Sequence, residues 1–179
     1  MRSMLAIFVL GVLGLIIQSA LLNLLPARWV PDLGLLIPVV AILALPPVEG
    51  LLLAAALGIS AGMFSNALLG QYALIRIVEF VVIRVLNAQL DLKRPLPLAV
   101  FVFAITIFDA AGIIGITWLF FGVFPIPLGE TGNLLVRAGV NAVVAPMLVV
   151  PLRGLVERFT ERDARRSREV RLATKRPVL

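Results

Sequence analysis

The sequence contains no cysteine and no histidine among its 179 residues. Disulfide bonds, thiolate or imidazole metal ligands, cysteine nucleophiles and histidine general bases are therefore all excluded. Only 15% of the residues are charged, and tyrosine occurs once. Because most of the side chains on which enzymes depend are missing, we expect no catalytic residues, no cofactor and no metal.

Hydrophobic residues, in contrast, make up 61% of the chain, and the mean hydropathy is +1.08. A water-soluble domain of this size could not bury so much apolar surface in one core, so lipid must solvate most of it. The net charge of +6 comes mainly from the tail, since nine of the 16 Lys and Arg residues follow Leu152. No basic stripe is interleaved with aromatic residues, so we expect membrane lipids, and no nucleic acid, as the partner of the tail.

Six apolar segments predict an all-α integral membrane protein of about six short transmembrane helices. Prolines or glycines separate the segments, which comprise residues 4–25, 33–45, 50–69, 72–86, 98–121 and 134–152. The second segment is only about 20 Å long at 1.5 Å per residue, so it is either a short tilted span or half of a re-entrant hairpin with the third. An arrangement with five spans stays open.

The distribution of Lys and Arg predicts that both termini are cytoplasmic. Arg2, Lys93, Arg94 and the nine tail residues lie on one side, whereas the other loops carry Arg28 and little else. Cytoplasmic loops are the ones enriched in Lys and Arg. We therefore divide the chain into a transmembrane domain, residues 1–155, and a basic cytoplasmic tail, residues 156–179, whose first turns extend the sixth helix and whose end is expected to be disordered.

A charged residue inside an apolar span costs free energy, so its presence there indicates a structural or functional role. With the termini inside, Arg76 and Arg137 fall about 4 to 6 Å below the outer surface of the membrane. Glu79, Asp109 and Asn141 fall about 10 to 18 Å below it. Three further polar residues belong to the same outer half: Gln18, Ser65 and Asn66.

Two arginines and two acids at comparable depth predict a charge-balanced cluster between the fourth, fifth and sixth helices, because unpaired ions in lipid would be far more costly. Asp109 is predicted to pair with Arg76 or Arg137, and Glu79 with the other arginine. One interpretation is that the cluster holds the helices together. The other is a cavity, open to the outside, that receives a solute or a partner's helix.

Three other features suggest anchoring or docking. Arg84 lies near the inner end of its helix and is predicted to reach the lipid headgroups as an anchor. Gly58 and Gly62 are small residues one turn apart in the third span, a spacing that allows a partner helix to pack closely. The loop around Pro31 and Asp32 is a second candidate docking site.

Some segments carry a resemblance to a known family. They read PDL at residues 31–33, LGQYAL at residues 69–74 and NAVVAPMLVVPLR at residues 141–153, and the third span bears glycines. With the chain length and the basic tail, these segments resemble the rod shape-determining MreD family over most of the first 155 residues. The family often places an acidic residue late in the third span, where this chain has Ser65 and Asn66.

The resemblance implies a non-enzymatic scaffold of the bacterial cell-elongation complex in the inner membrane. It would maintain cell shape by binding MreC, and would act with MreB, RodA and a class B penicillin-binding protein in peptidoglycan synthesis. MreD proteins are also similar in helical layout to the S components of energy-coupling-factor transporters, so a solute-binding S component with an outward-facing cavity is the alternative. An intramembrane enzyme built on Glu79 and Asp109 is least favoured, because each acid has a candidate arginine partner.

Overall fold

The computed structural model describes residues 2–65, 70–92, 94–122 and 131–174, which form six α-helices and no β-strand. The helices are α1 (Arg2–Leu24), α2 (Leu33–Ala44), α3 (Pro47–Phe64), α4 (Gln71–Asn87), α5 (Pro95–Phe121) and α6 (Thr131–Thr174). A short 3-10 turn, Ala27–Trp29, lies between α1 and α2. The chain is thus an all-helical, multi-pass membrane protein, in agreement with its hydropathy.

Five segments of the described chain are long and apolar enough to cross a membrane. They are Met4–Leu24, Ala27–Ala44, Pro47–Phe64, Pro95–Phe121 and Thr131–Val156. Helix α4 has 17 residues, a length of about 26 Å, and it contains Arg76, Glu79 and Arg84. The sixth crossing and the similarity to the S-component layout therefore stay predictions.

Helix α2 lies at the centre of the bundle. Ten of its 12 residues are buried, and it packs against α1, α3, α4 and α6. Protein and not lipid therefore covers most of its surface.

Prolines and glycines set the helix boundaries, as the sequence predicts. Pro47 and Pro95 each stand at the first position of a helix, where the missing N–H costs nothing. Gly70 precedes α4 with φ 88° and Gly122 follows α5 with φ 65°, a left-handed conformation that glycine adopts without strain. Helix α6 continues to Thr174, beyond the predicted boundary at residue 155.

The apolar core occupies one half of the bundle. Its members come from the starts of α1, α3 and α5, from the whole length of α2, from the end of α4 and from the middle of α6. Representative buried residues are Ile7, Leu36, Leu53, Ile83, Val102 and Val149. The buried charged residues lie toward the opposite ends of these helices, so the fold separates an apolar half from a half that contains a polar site.

Cysteine labelling can test the predicted orientation because the chain has no cysteine of its own. Arg28→Cys and Asp91→Cys place single thiols at exposed positions in loops at opposite ends of the bundle. In spheroplasts, we expect a membrane-impermeant maleimide to label Arg28→Cys at once and Asp91→Cys only after permeabilisation. The reverse pattern would place both termini outside the cell.

Candidate functional site

Polar side chains from five helices meet at one end of the bundle. The end of α1, the starts of α2, α4 and α6 and the middle of α5 each contribute, because consecutive helices run in opposite directions. The buried or half-buried members are Gln18, Asp32, Arg76, Glu79, Thr106, Asp109, Arg137 and Asn141. They form two groups, which we call the Arg76 cluster (Arg76, Glu79 and Asp109) and the Asp32 cap (Asp32, Arg137, Asn141 and Gln18).

In the Arg76 cluster, one guanidinium serves two carboxylates. Nη1 of Arg76 donates to Oε2 of Glu79 on the next turn of α4, and the same atom lies 3.1 Å from Oδ1 of Asp109 on α5. The side chains of Arg76 and Glu79 are each 2% exposed and that of Asp109 is 8% exposed. The cluster therefore joins α4 to α5 through ions that are almost completely removed from water.

The Arg76 cluster contains polar atoms that make no hydrogen bond within the described residues: Oε1 of Glu79, Oδ1 of Asp109 and Nε of Arg76. The 3.1 Å contact of Oδ1 with Arg76 is thus an ion contact without hydrogen-bond geometry. Buried acceptors without a donor raise the energy of the folded state. These atoms are enclosed by the protein, so the cluster keeps polar groups without hydrogen bonds in its interior.

The Asp32 cap holds the N-terminus of the central helix. The Asp32 carboxylate accepts from the backbone N–H of Leu35 at 3.1 Å, as an N-cap does, and it also accepts from Nη2 of Arg137. The backbone N–H of Asp32 donates to Oδ1 of Asn141 at 2.8 Å, and Nδ2 of Asn141 donates to the hydroxyl of Thr106 at 3.2 Å. These hydrogen bonds join helices α2, α5 and α6 at this point.

The predicted assignment of the charges is wrong in one respect, because Arg137 pairs with Asp32 and not with Glu79 or Asp109. Asp32 belongs by sequence to a surface loop, but its role as N-cap draws it into the bundle, where it is 7% exposed. Gln18 of α1 completes the cap with a 3.4 Å hydrogen bond to Oδ1 of Asp32. Asp32 is therefore an internal structural residue and presents little surface to a partner.

The two groups border a cavity of about 300 Å³, which we call the outer cavity because it lies at the end predicted to face outside the cell. Asp32, Arg76, Asp109 and Arg137 supply its charged lining. Its other walls include Leu15, Gln18, Leu22, Phe64, Ser65, Tyr72 and Ile113. A neighbouring cleft of about 540 Å³ shares Tyr72, Ile113 and Arg137 with it and is also lined by Arg28.

Gly58 and Gly62, the glycines predicted as a docking site, are not members of the two charged groups. A Cβ atom added at Gly58 would lie 2.6 Å from the Cα of Ala73, so Gly58 packs against α4 inside this chain. Gly62 is buried, yet an added Cβ there would meet no atom within 4 Å. Pro31 is half-buried, and Asn66 lies outside the described residues.

Arg84 differs from its predicted role as a lipid anchor. Its Nη2 atom donates to the carbonyl oxygen of Leu45 at the C-terminus of α2, and its guanidinium lies 5.5 Å from the ring centroid of Phe80. A cation at this position satisfies a terminal carbonyl and complements the helix dipole. Charged side chains thus hold both ends of the central helix.

Sequence reasoning did not single out Gln71 and Thr106 as site residues. The side-chain amide of Gln71 donates at 3.1 Å both to the carbonyl oxygen of Ile113 and to the hydroxyl of Thr117, so it bridges α4 and α5. Thr106 accepts from Asn141 at 3.2 Å. Both are polar residues next to or within an apolar span, which is the signal that could have identified them.

The arrangement is suited to holding helices together. Among the described residues, no group of three or more His, Cys, Asp or Glu side chains is placed to hold a metal ion. Glu79 and Asp109 share their arginine, and no hydroxyl group in the described part of the chain donates a hydrogen bond to either of them. The chemistry that the site supports is electrostatic.

Comparisons with known proteins identify no relative of this chain, so its function is inferred from its own residues. No family model matches the sequence, and neither the curated proteins nor the solved structures contain a match to it.

Proposed function

We propose that this chain is a non-enzymatic scaffold of the bacterial cell-elongation complex, similar to MreD proteins, and that it maintains cell shape by binding an MreC-like protein in the inner membrane. MreB, RodA and a class B penicillin-binding protein would be the other members of the complex. The observation that carries the proposal is a contact between two of the MreD-like segments. Asp32 of PDL donates its backbone N–H at 2.8 Å to Asn141, the first residue of the last such segment.

The ion pairs and hydrogen bonds between helices inside the bundle support the proposal of a scaffold. The Asp32 cap fixes three helices around the start of α2, and Arg84 fixes its end. The Arg76 cluster joins α4 to α5. Buried polar contacts of this kind hold membrane helices in one arrangement, which is what a protein needs if it positions other subunits.

The outer cavity is the observation that favours the second candidate, an S component that binds a vitamin or another small solute. Its volume of about 300 Å³ is at the lower end of the range for ligand sites. Two of the connections at this end are short in sequence, however, with residues 25–32 between α1 and α2 and residues 65–70 between α3 and α4. Few groups are available there to close over a solute, so the scaffold is the better supported function.

Affinity purification of the tagged full chain from its native membrane, in mild detergent, tests the proposal. We expect a single-span MreC-like protein to be recovered in stoichiometric amount, and we expect depletion of the chain to convert rod-shaped cells to round ones. The untagged chain, purified in the same way, is the control. Recovery of an ATPase and a bound small solute instead would contradict the scaffold and support the S component.

A further inference from the structure

The cleft beside the outer cavity, which we call the Arg28 cleft, is lined by positive charge. It has a volume of about 540 Å³, and it is formed by the 3-10 turn, the starts of α4 and α6 and the second half of α5. Its polar lining consists of Arg28, Tyr72, Asn133 and Arg137, and its apolar lining includes Ile114 and Leu134. No acid is among the described residues that line it.

The two arginines of the Arg28 cleft keep hydrogen-bond donors for a ligand. Arg28 is exposed, and its side chain forms no ion pair within the described residues. Asp32 accepts from Nη2 of Arg137, yet the side chain of Arg137 is still 40% exposed. A guanidinium carries five N–H donors. Asp32 therefore balances the charge of one arginine, and the charge of the other is left for a ligand.

The position of the cleft relates it to the membrane surface. Arg28 lies in the loop that follows α1, and Arg137 lies about 9 Å along α6 from its first residue, Thr131. Asn133 and Arg137 are four residues apart, so they occupy the same face of α6. Ile114 and Leu134 are half-buried and place apolar surface beside these donors. A ligand that matches the cleft thus carries an anionic group next to an apolar part.

These requirements narrow the chemistry of the ligand. Arginine binds phosphate through paired N–H donors, and an acyl chain suits the apolar wall. A zwitterionic headgroup would bring its own ammonium close to Arg28, and like charges repel each other. A phospholipid with a net negative charge avoids that repulsion and is attracted by both arginines.

We propose that the Arg28 cleft binds the phosphate group of an anionic phospholipid, with Arg28 and Arg137 as its charged donors and with the apolar part of the lipid against Ile114 and Leu134. The site goes beyond the proposed scaffold function. It rests only on residues of this chain, so it needs no partner protein and stands or falls separately from the scaffold.

Native mass spectrometry of the purified full chain, with lipid added in detergent, tests the site. The probe is phosphatidylglycerol, and phosphatidylcholine with the same acyl chains is its zwitterionic counterpart. We expect phosphatidylglycerol to bind about tenfold more tightly. Arg28→Gln should weaken phosphatidylglycerol binding about fivefold and leave phosphatidylcholine binding unchanged, because it removes one charge from the cleft. Arg28 is exposed, so this variant tests lipid binding and not the fold.

Arg94→Gln is the matched control. It makes the same chemical change at an exposed arginine of the loop between α4 and α5, away from the cleft, and should leave the binding of both lipids unchanged. If it weakens phosphatidylglycerol binding as much as Arg28→Gln does, the attraction is general to the charged surface and the proposal is overturned. Equal binding of the two lipids to the wild-type chain overturns it as well.

Inorganic phosphate distinguishes the lipid from a soluble anion. We expect it not to displace phosphatidylglycerol even in large excess, since it makes no contact with the apolar wall. Displacement would assign the cleft to a soluble phosphate and overturn the lipid site. If Arg28→Gln does not fold, Asn133→Leu takes its place. That variant removes an exposed amide from the same cleft and should weaken phosphatidylglycerol binding by at least about twofold.

Discussion

Arg76→Met is expected to lower the free energy of unfolding by about 3 to 5 kcal/mol, the cost of removing one partner from a buried ion pair. The guanidinium is 2% exposed and contacts two carboxylates, Glu79 and Asp109. Its removal leaves both of them without their cation in a poor solvent for charge. Unfolding of the purified chain in nanodiscs, followed by heat or by denaturant, measures the loss.

The relative losses of stability among variants of the Arg76 cluster distinguish one arginine shared by two carboxylates from independent ion pairs. Asp109→Asn should cost less than Arg76→Met, because Arg76 and Glu79 remain as a neutral pair. The triple variant that adds Glu79→Gln to both changes should recover much of the loss, since no ion is then left in the cluster. Arg28→Met removes an exposed arginine and serves as the matched control, with a change within about 0.5 kcal/mol.

Arg84 is unsuitable as that control because it caps the C-terminus of α2. Wild-type stability of Arg76→Met would show that the cluster does not stabilise the fold. If Asp109→Asn kept full stability but abolished function in cells, the cluster would be a working site and not a packing device.

That these polar residues share one end of the bundle could be predicted from the sequence, whereas their partners could not. A rise of 1.5 Å per residue converts position into depth, and this places Gln18, Arg76, Asp109 and Arg137 at the same end, where all four line one cavity. The position of a residue along its helix does not determine which faces of the helices contact each other. The pairing of Arg137 with Asp32 joins residues 105 positions apart, and it depends on the packing of α6 against α2.

The helix boundaries were predictable for a local reason, whereas the central position of α2 was not predictable. Pro47, Gly70 and Pro95 act within one turn of chain, so their effect can be read without tertiary structure. Helix α2 has no polar face, and such a helix can be covered either by protein or by lipid. The contact of Arg84 with the carbonyl of Leu45 was not predictable. Every residue has a backbone carbonyl, so the sequence does not show which one accepts the hydrogen bond.

Gly58→Ala is expected to destabilise the chain by about 1 to 3 kcal/mol, the usual cost of forcing an extra carbon into a packed interface. The added Cβ would lie 2.6 Å from the Cα of Ala73 and 2.8 Å from the carbonyl oxygen of Tyr72. Both are backbone atoms, so no side-chain rotation can make room, and α3 and α4 would have to separate. Thermal unfolding in the same nanodiscs measures the effect.

Gly62→Ala provides a matched control on the same face of α3, one turn further along. Its added Cβ would meet no atom within 4 Å, and alanine favours a helix over glycine by up to about 1 kcal/mol, so stability should be unchanged or slightly higher. Movement of α4 in Gly58→Ala should also displace Arg76, one turn beyond Ala73, so the effects of Gly58→Ala and Arg76→Met should not add. If Gly58→Ala instead keeps wild-type stability but loses the co-purified single-span partner, then Gly58 belongs to a docking surface for another helix, and its close contact with α4 is not what the glycine serves.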